Sequence, residues 1–233
     1  MTHLVVGAGE VGTALHAVLS RAHPTVVRDV DPVDLSPVDV LHVAFPWTPA
    51  FADQVAGYEA GHRAGLVIVH STVPVGTCDP HGWVHSPVRG RHPDLAPSLT
   101  AFVKHVGGGR AEEAAEVLEA AGITTMVHDR AAETEAGKLA ELAQFALQVV
   151  VEKEVHAWCQ REGLDFDVVY RRFAETYNAG YETLGDLRFV RPVLEHMPGP
   201  IGGHCVVAGS RLLGGWLGNL VVAYDRRLRG EAR

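Results

Sequence analysis

The sequence predicts an α/β protein: a Rossmann-type, doubly wound parallel sheet followed by a long helix and a small, mainly helical C-terminal region. Three observations carry that expectation. Short apolar runs alternate with Ala-, Leu- and Glu-rich segments through the first half. The pattern Gly7-Ala8-Gly9-Glu10-Val11-Gly12 follows the first apolar run directly. After Asp129 the alternation gives way to one unbroken helical pattern. The boundary drawn from this separates a sheet domain over 1–128 from a helical region over 129–233.

Strands are expected where β-branched and apolar residues run between turn residues, at His3–Val6, Thr25–Arg28, Val40–Phe45, Leu66–His70, Trp83–His85 and Thr124–Val127. Helices are expected between them at Gly9–Ser20, Pro49–His62 and Arg110–Ala121, with proline-marked loops at Asp79-Pro80, Ser86-Pro87 and His92-Pro93. The long helix takes Asp129 as its N-cap and has acidic Glu133 and Glu135 early. It repeats apolar Leu139, Leu142, Ala146, Val149 and Val150 at helical spacing, and runs to about Glu162. Beyond Gly163 come a short helical patch (Asp167–Thr176), an irregular aromatic segment (Tyr177–Tyr181), a glycine-rich turn from Pro198 to Cys205, and a helical run Val206–Tyr224.

Bulk properties exclude several classes. At 233 residues the chain buries a core without staples, and its three cysteines (Cys78, Cys159, Cys205) suggest neither a disulfide framework nor zinc spacing, so a reducing cytoplasm is expected. A formal charge of -8 with no basic tract argues against nucleic acid or an acidic membrane as partner. The first apolar run breaks at Gly7, which speaks against a leader peptide. Leu212 to Tyr224 is shorter than the roughly 20 residues a spanning helix needs and reads as a buried helix. Five histidines between His62 and His92 share no helix face, and no metal is expected.

Four stretches carry chemistry. A G-x-G-x-x-G pattern between a strand and a helix lets a pyrophosphate approach backbone N–H groups at the helix N-terminus. Gly7, Gly9, Glu10, Val11 and Gly12 form that loop, and Asp29, at the end of the second strand, is placed to accept hydrogen bonds from adenosine ribose hydroxyls, which favours NAD. Ser71 and Thr72 follow the fourth strand, on the edge where open α/β sheets bind ligands. Cys205 ends a glycine-rich turn ahead of a helix, where a thiol feels the positive end of the helix dipole. Tyr177, Asn178, Tyr181 and Arg191 are candidates for stacking on a base or sugar and gripping a phosphate. Core and loop packing explains the same four residues equally well. His85 and His204, beside two of these loops, are candidate acid/base groups, and His204 is also a substrate-binding candidate.

In order, Gly7 to Gly12, Ser71-Thr72-Val73-Pro74-Val75-Gly76-Thr77, Ser86-Pro87, Thr134 to Lys138 and Pro198 to Cys205 resemble motifs of the UDP-glucose/GDP-mannose dehydrogenase family. The resemblance implies NAD as cofactor and a small-molecule substrate, and a homodimer along the long helix. The cysteine would hold an aldehyde as thiohemiacetal and then thioester. By position, Cys205 would be the nucleophile, Lys138 the group stabilising an oxyanion, and Thr72 the group positioning the reacting oxygen. The chain stops about where the family begins a second nucleotide-binding domain, which makes it resemble a short member.

Three family residues are replaced. Leu142 stands where the family has an asparagine, Gly209 where it has an aspartate, and Val88 where it has a glutamate. A full four-electron oxidation to an acid is therefore not expected. Three functions follow from these residues: an NAD-dependent oxidoreductase acting on a hydroxyl of a nucleotide, nucleoside or sugar derivative; an NAD-retaining dehydratase or epimerase; and a non-catalytic NAD-binding subunit.

Overall fold

A computed structural model describes residues 1–203 and 205–231. The chain divides into two compact units, Met1–Lys138 and Leu139–Arg233. The first is a seven-stranded sheet of β1 (His3–Val6), β2 (Thr25–Arg28), β3 (Val40–Val43), β4 (Leu66–Val69), β5 (Val84–His85), β6 (Lys104–Gly107) and β7 (Thr125–His128), ordered β2-β1-β3-β4-β5-β6-β7. With it go α1 (Glu10–Leu19), α2 (Phe51–His62), α3 (Leu95–Ala101) and α4 (Ala111–Ala120). The fold is the Rossmann-like α/β class.

Side chains alternate across a strand, so a sheet covered on both faces needs apolar residues at every position. β1 meets this demand. Val5 joins one apolar cluster with Leu15, Val18, Ile68 and Leu118, while Leu4 and Val6 join another with Leu41, Val43, Phe51 and Val55. The chain leaves β1 to β2 on one side and has β3 on the other. The crevice outside the carboxyl ends of β1 and β3 is therefore the switch point where such sheets take ligands.

Two features depart from the sequence expectation. β6 and α3 were not foreseen, and the sheet is not parallel throughout: β6 runs antiparallel to β5, and β7 parallel to β6. A parallel return needs a crossover of a dozen or more residues, usually a full helix. The link over residues 86–103 meets that length, yet with only the seven-residue α3 in it the chain re-enters the sheet in the opposite direction.

The long helix, α5, spans Ala131–Glu162. Its N-terminus is capped from a distance rather than by Asp129. Asp79 accepts the N–H of Ala131 at 2.9 Å on one oxygen and that of Ala132 at 3.1 Å on the other. In the second unit, a π-helical stretch Asp167–Arg172 leads into α6 (Phe173–Thr183). Tyr177 to Tyr181 is therefore helical rather than irregular, and the i, i+4 rings of Tyr177 and Tyr181 meet at 4.8 Å between centroids. The expected C-terminal helix is two, α7 (Val206–Leu213) and α8 (Gly215–Leu228), broken at Gly214, whose φ of 61° and ψ of -150° suit glycine. Ala146, Ile201, Val206, Val207 and Val221 form this unit's core. Among the described residues no helix is long and apolar enough to cross a membrane.

One face of the sheet carries a diagonal row of buried imidazoles. His3 on β1, His42 on β3 and His70 just past β4 are 0%, 0% and 3% exposed. His70 Nδ1 lies 2.8 Å from the Ser86 carbonyl, which can only accept, so this nitrogen carries the proton. His70 Nε2 then accepts from His42 Nδ1 at 3.0 Å, and His42 Nε2 accepts from His3 Nδ1 at 3.1 Å. One carbonyl thus fixes three tautomers, and the spare lone pair falls on His3 Nε2, which is buried without a partner among the described residues. Burial, the largest cause, together with neighbouring positive groups, holds His42 and His70 well below 6.5 and His3 at about 4.

The distant cap and the imidazole row each have a measurable effect on stability. Asp79→Ala should lower the stability measured by urea unfolding by about 1 kcal/mol, whereas Asp129→Ala should leave it unchanged. The neutral His42 and His70 rings make stability depend on pH. An unfolded chain binds protons at these rings below 6.5 and the folded one does not. Their contribution is complete above that value and is lost as pH falls, by about 1.4 kcal/mol per pH unit for each ring. Urea midpoints recorded between about pH 7 and pH 5 should fall steadily; a flat profile contradicts the neutral relay.

Candidate functional site

In the glycine loop between β1 and α1 two of the three glycines are required by close backbone contacts. Gly7 has φ +102°, and a Cβ there would stand 2.8 Å from the Ala44 carbonyl oxygen. A Cβ on Gly12 would stand 1.7 Å from the Gly7 carbonyl oxygen, so helix and loop touch through bare backbone. Gly9, the N-cap of α1, has nothing within 4 Å of its Cβ position and is exposed. Two closed glycines therefore flank an open one at a helix N-terminus, which is the shape a dinucleotide pyrophosphate needs. Glu10 accepts from His92 at 2.8 Å, and Val11 packs on the core. Asp29 is exposed just past β2 and accepts the Ala8 N–H at 3.3 Å, which places its carboxylate beside the loop. Arg28 turns to α2, with its guanidinium 4.9 Å over the Tyr58 ring and Nη1 donating to His62 Nε2 at 3.0 Å.

The loop after β4 is held at several points. The Ser71 hydroxyl donates to the Phe45 carbonyl at 2.6 Å, tying together the loops that leave β3 and β4. Half-buried Thr72 has no side-chain hydrogen bond among the described residues. Glu135, fully buried on α5, accepts the N–H groups of Gly76 at 2.6 Å and Cys78 at 2.8 Å. His85 Nε2 donates to the Ser71 carbonyl at 3.1 Å, and its Nδ1 accepts from the Thr134 hydroxyl at 2.8 Å. The expectation that His85 serves as an acid/base group is thereby corrected. Both nitrogens are committed, the ring is fully buried, and burial with help from Lys104 and Lys138 depresses its pKa to about 3. Burial and the neighbouring Glu135 push the Cys78 thiol upward, which makes it inert.

Lys138 lies half-buried on α5, one turn beyond Glu135. Lys104, hidden in the strand that the sequence did not disclose, is 4% exposed and donates to the carbonyls of Ser86 at 2.7 Å and Pro87 at 2.9 Å. Burial, with Lys138 adding, holds its ammonium well below the ordinary lysine range. Val88 belongs to the apolar core, and no carboxylate stands at that position.

In the second unit Cys205 is the N-cap residue of α7 and is partly exposed, whereas Cys78 and Cys159 are buried. Gly209 N–H closes the first turn onto the Cys205 carbonyl at 2.7 Å. Leu142 covers Gly209 so closely that a Cβ there would stand 2.6 Å from Leu142 Cδ1. Leu142 and Gly209 thus form a single apolar contact one turn from the thiol. Tyr177, Asn178, Tyr181 and Arg191 lie together and satisfy one another. Asn178 exchanges two hydrogen bonds with the Arg191 backbone, at 2.8 and 2.9 Å, and the Arg191 guanidinium lies 4.0 Å over the Tyr177 ring. His204 lies outside the described residues.

Sequence reasoning missed Glu135, Asp79 and Lys104 as organisers of the loops. Each acts on backbone distant in the sequence, and only Glu135 gave a signal, as an acidic residue near a helix start.

No family model and no curated protein matches the chain. Solved structures match its fold. UDP-D-ManNAc dehydrogenase from Pyrococcus horikoshii aligns with a TM-score of 0.80 at 16% identity, over 99% of this chain and 69% of that one. UDP-N-acetyl-mannosamine dehydrogenase from Staphylococcus aureus gives 0.72 at 15% identity, over 99% and 68%. Mycobacterium tuberculosis 3-hydroxyisobutyrate dehydrogenase gives 0.71 at 17% identity, over 99% and 94%. The chain therefore shares the fold of these dehydrogenases.

Proposed function

We propose that the protein is an NAD-dependent dehydrogenase that oxidises a CH–OH group of a nucleotide, nucleoside or sugar derivative to a carbonyl. The observation that carries this reading is the open Gly9 position between the closed Gly7 and Gly12, at the N-terminus of α1 and beside Asp29. The similar folds of dehydrogenases for UDP-D-ManNAc and 3-hydroxyisobutyrate support it.

Loop and helix N–H groups would hold the pyrophosphate, and Asp29 would accept the adenosine ribose hydroxyls. Arg28 is engaged by Tyr58 and His62, which favours NAD over NADP. NAD bound there would supply the hydride acceptor, so that the alcohol and oxidised NAD would give the carbonyl compound, NADH and a proton. Thr72 would orient the reacting oxygen, and Lys138 would stabilise negative charge on it. Cys205 would capture the carbonyl as a thiohemiacetal, with sulfur bonding to carbon and the thiol proton passing to oxygen. Leu142 on Gly209 puts an apolar contact in the first turn of α7 where a carboxylate could activate water, which favours release of the carbonyl over hydrolysis to an acid.

Thermal shift should show stabilisation by NAD, and Gly9→Val should weaken NAD binding about tenfold or more, or roughly 1.4 kcal/mol, without altering the circular dichroism spectrum. With UDP-N-acetylmannosamine and 3-hydroxyisobutyrate as first probes, turnover should yield equal amounts of NADH and trapped carbonyl, and Lys138→Met should reduce kcat by about 10² to 10³. Cys205→Ser should lose turnover. NAD binding with no absorbance change for any hydroxyl compound would instead identify a non-catalytic subunit.

A further inference from the structure

We propose that Glu152, Lys153 and Asp225 are positioning residues for the Cys205 thiol. The inference rests on the reading of Cys205 as the group at the reacting carbon. All three side chains are buried, at 2%, 7% and 1% exposure, in a unit whose apolar core is small. Burying a charge is unfavourable unless hydrogen bonds replace the lost water. Here those bonds converge on one stretch of irregular chain, the 190–203 segment that leads to Cys205.

Lys153 Nζ donates to the Met197 carbonyl at 2.5 Å and the Gly199 carbonyl at 3.0 Å. Glu152 accepts from His196 Nδ1 at 2.6 Å, and the His196 ring is stacked on His156 at 3.5 Å between centroids. Asp225 accepts the Ile201 N–H at 3.0 Å on one oxygen and Arg229 Nε at 2.8 Å on the other. The anchored positions are 196, 197, 199 and 201. The last lies four residues before the cysteine, and Ile201 also plugs the core.

Glu152 and Lys153 are neighbours on α5, yet each turns its charge to the segment and not to the other. A segment of prolines and glycines has no secondary-structure ladder to define its path, so side chains must supply the definition. Four hydrogen bonds to it, from two helices, do so directly upstream of the thiol.

The test is alkylation of the full-length protein by iodoacetamide under native conditions, followed by mass spectrometry at each cysteine. In the parent, Cys205 should react while buried Cys78 and Cys159 stay protected. Lys153→Met should change the Cys205 rate by about fivefold or more with the other two still protected, and Lys153→Arg, which keeps donors for the carbonyls, should return it towards the parent. Asp225→Ala should act in the same direction as Lys153→Met. Rates within about twofold of the parent in both variants overturn the proposal. So does simultaneous reaction of all three cysteines in Lys153→Met, because the lysine would then hold the whole unit and not the segment. Alkylation needs neither substrate nor cofactor, so its outcome is independent of whether Cys205→Ser loses turnover.

Discussion

The first two turns of α5 hold the carboxyl edge of the first unit in place. Residues 131, 134, 135 and 138 share one helix face by their i, i+3, i+4, i+7 spacing. Along that face the Ala131 N–H meets Asp79, the Thr134 hydroxyl meets His85, and Glu135 meets Gly76 and Cys78. The loop that carries Ser71 and Thr72 is thereby fixed at its start by His85, at its middle by Glu135 and at its end by Asp79. Lys138 is the next residue on the same face. The register of this helix, set by its cap, decides where the lysine comes to rest.

The first unit tolerates many polar groups in its interior because most of them are aimed at backbone groups or at another ring. Lys104 caps two carbonyls after β5, and the Ser86 carbonyl it shares with His70 orders the imidazoles back to β1. Hydrogen bonds of fixed direction replace the water these groups lose on burial. The carbonyls of Ser86 and Pro87 are consequently both held by buried side chains, although the sequence there offers only Ser86, Pro87 and a valine.

Legibility in the sequence followed the range of the interactions. β1, β2, α1, α4 and α5 obey local periodicity, and each was visible within a few residues of its bounds. β6 was hidden because it opens on Lys104 and His105, which look like surface residues until the carbonyls that receive the lysine are known. α3 was hidden by Pro97, which is harmless at the third helical position, where an N–H has no helical partner. In the site, the glycine loop could be read because its three glycines follow a strand and open a helix at fixed spacing within six residues. Asn178 and Arg191 could be singled out as polar candidates, but their mutual saturation depends on a backbone path that no periodicity reveals. The segment clamped by Lys153 was invisible for the same reason.

The contact between Leu142 and Gly209 also restricts how this protein can change. Any side chain at 209 meets Leu142 Cδ1 within 2.6 Å and Cβ at 3.4 Å, so an aspartate there must wait for the leucine to move or shrink. A smaller residue at 142 introduced first leaves a cavity, with the instability that follows from one. The two positions are therefore epistatic. The order of replacement is constrained, and each single step towards the polar pair is disfavoured on stability alone, before any effect on chemistry is counted.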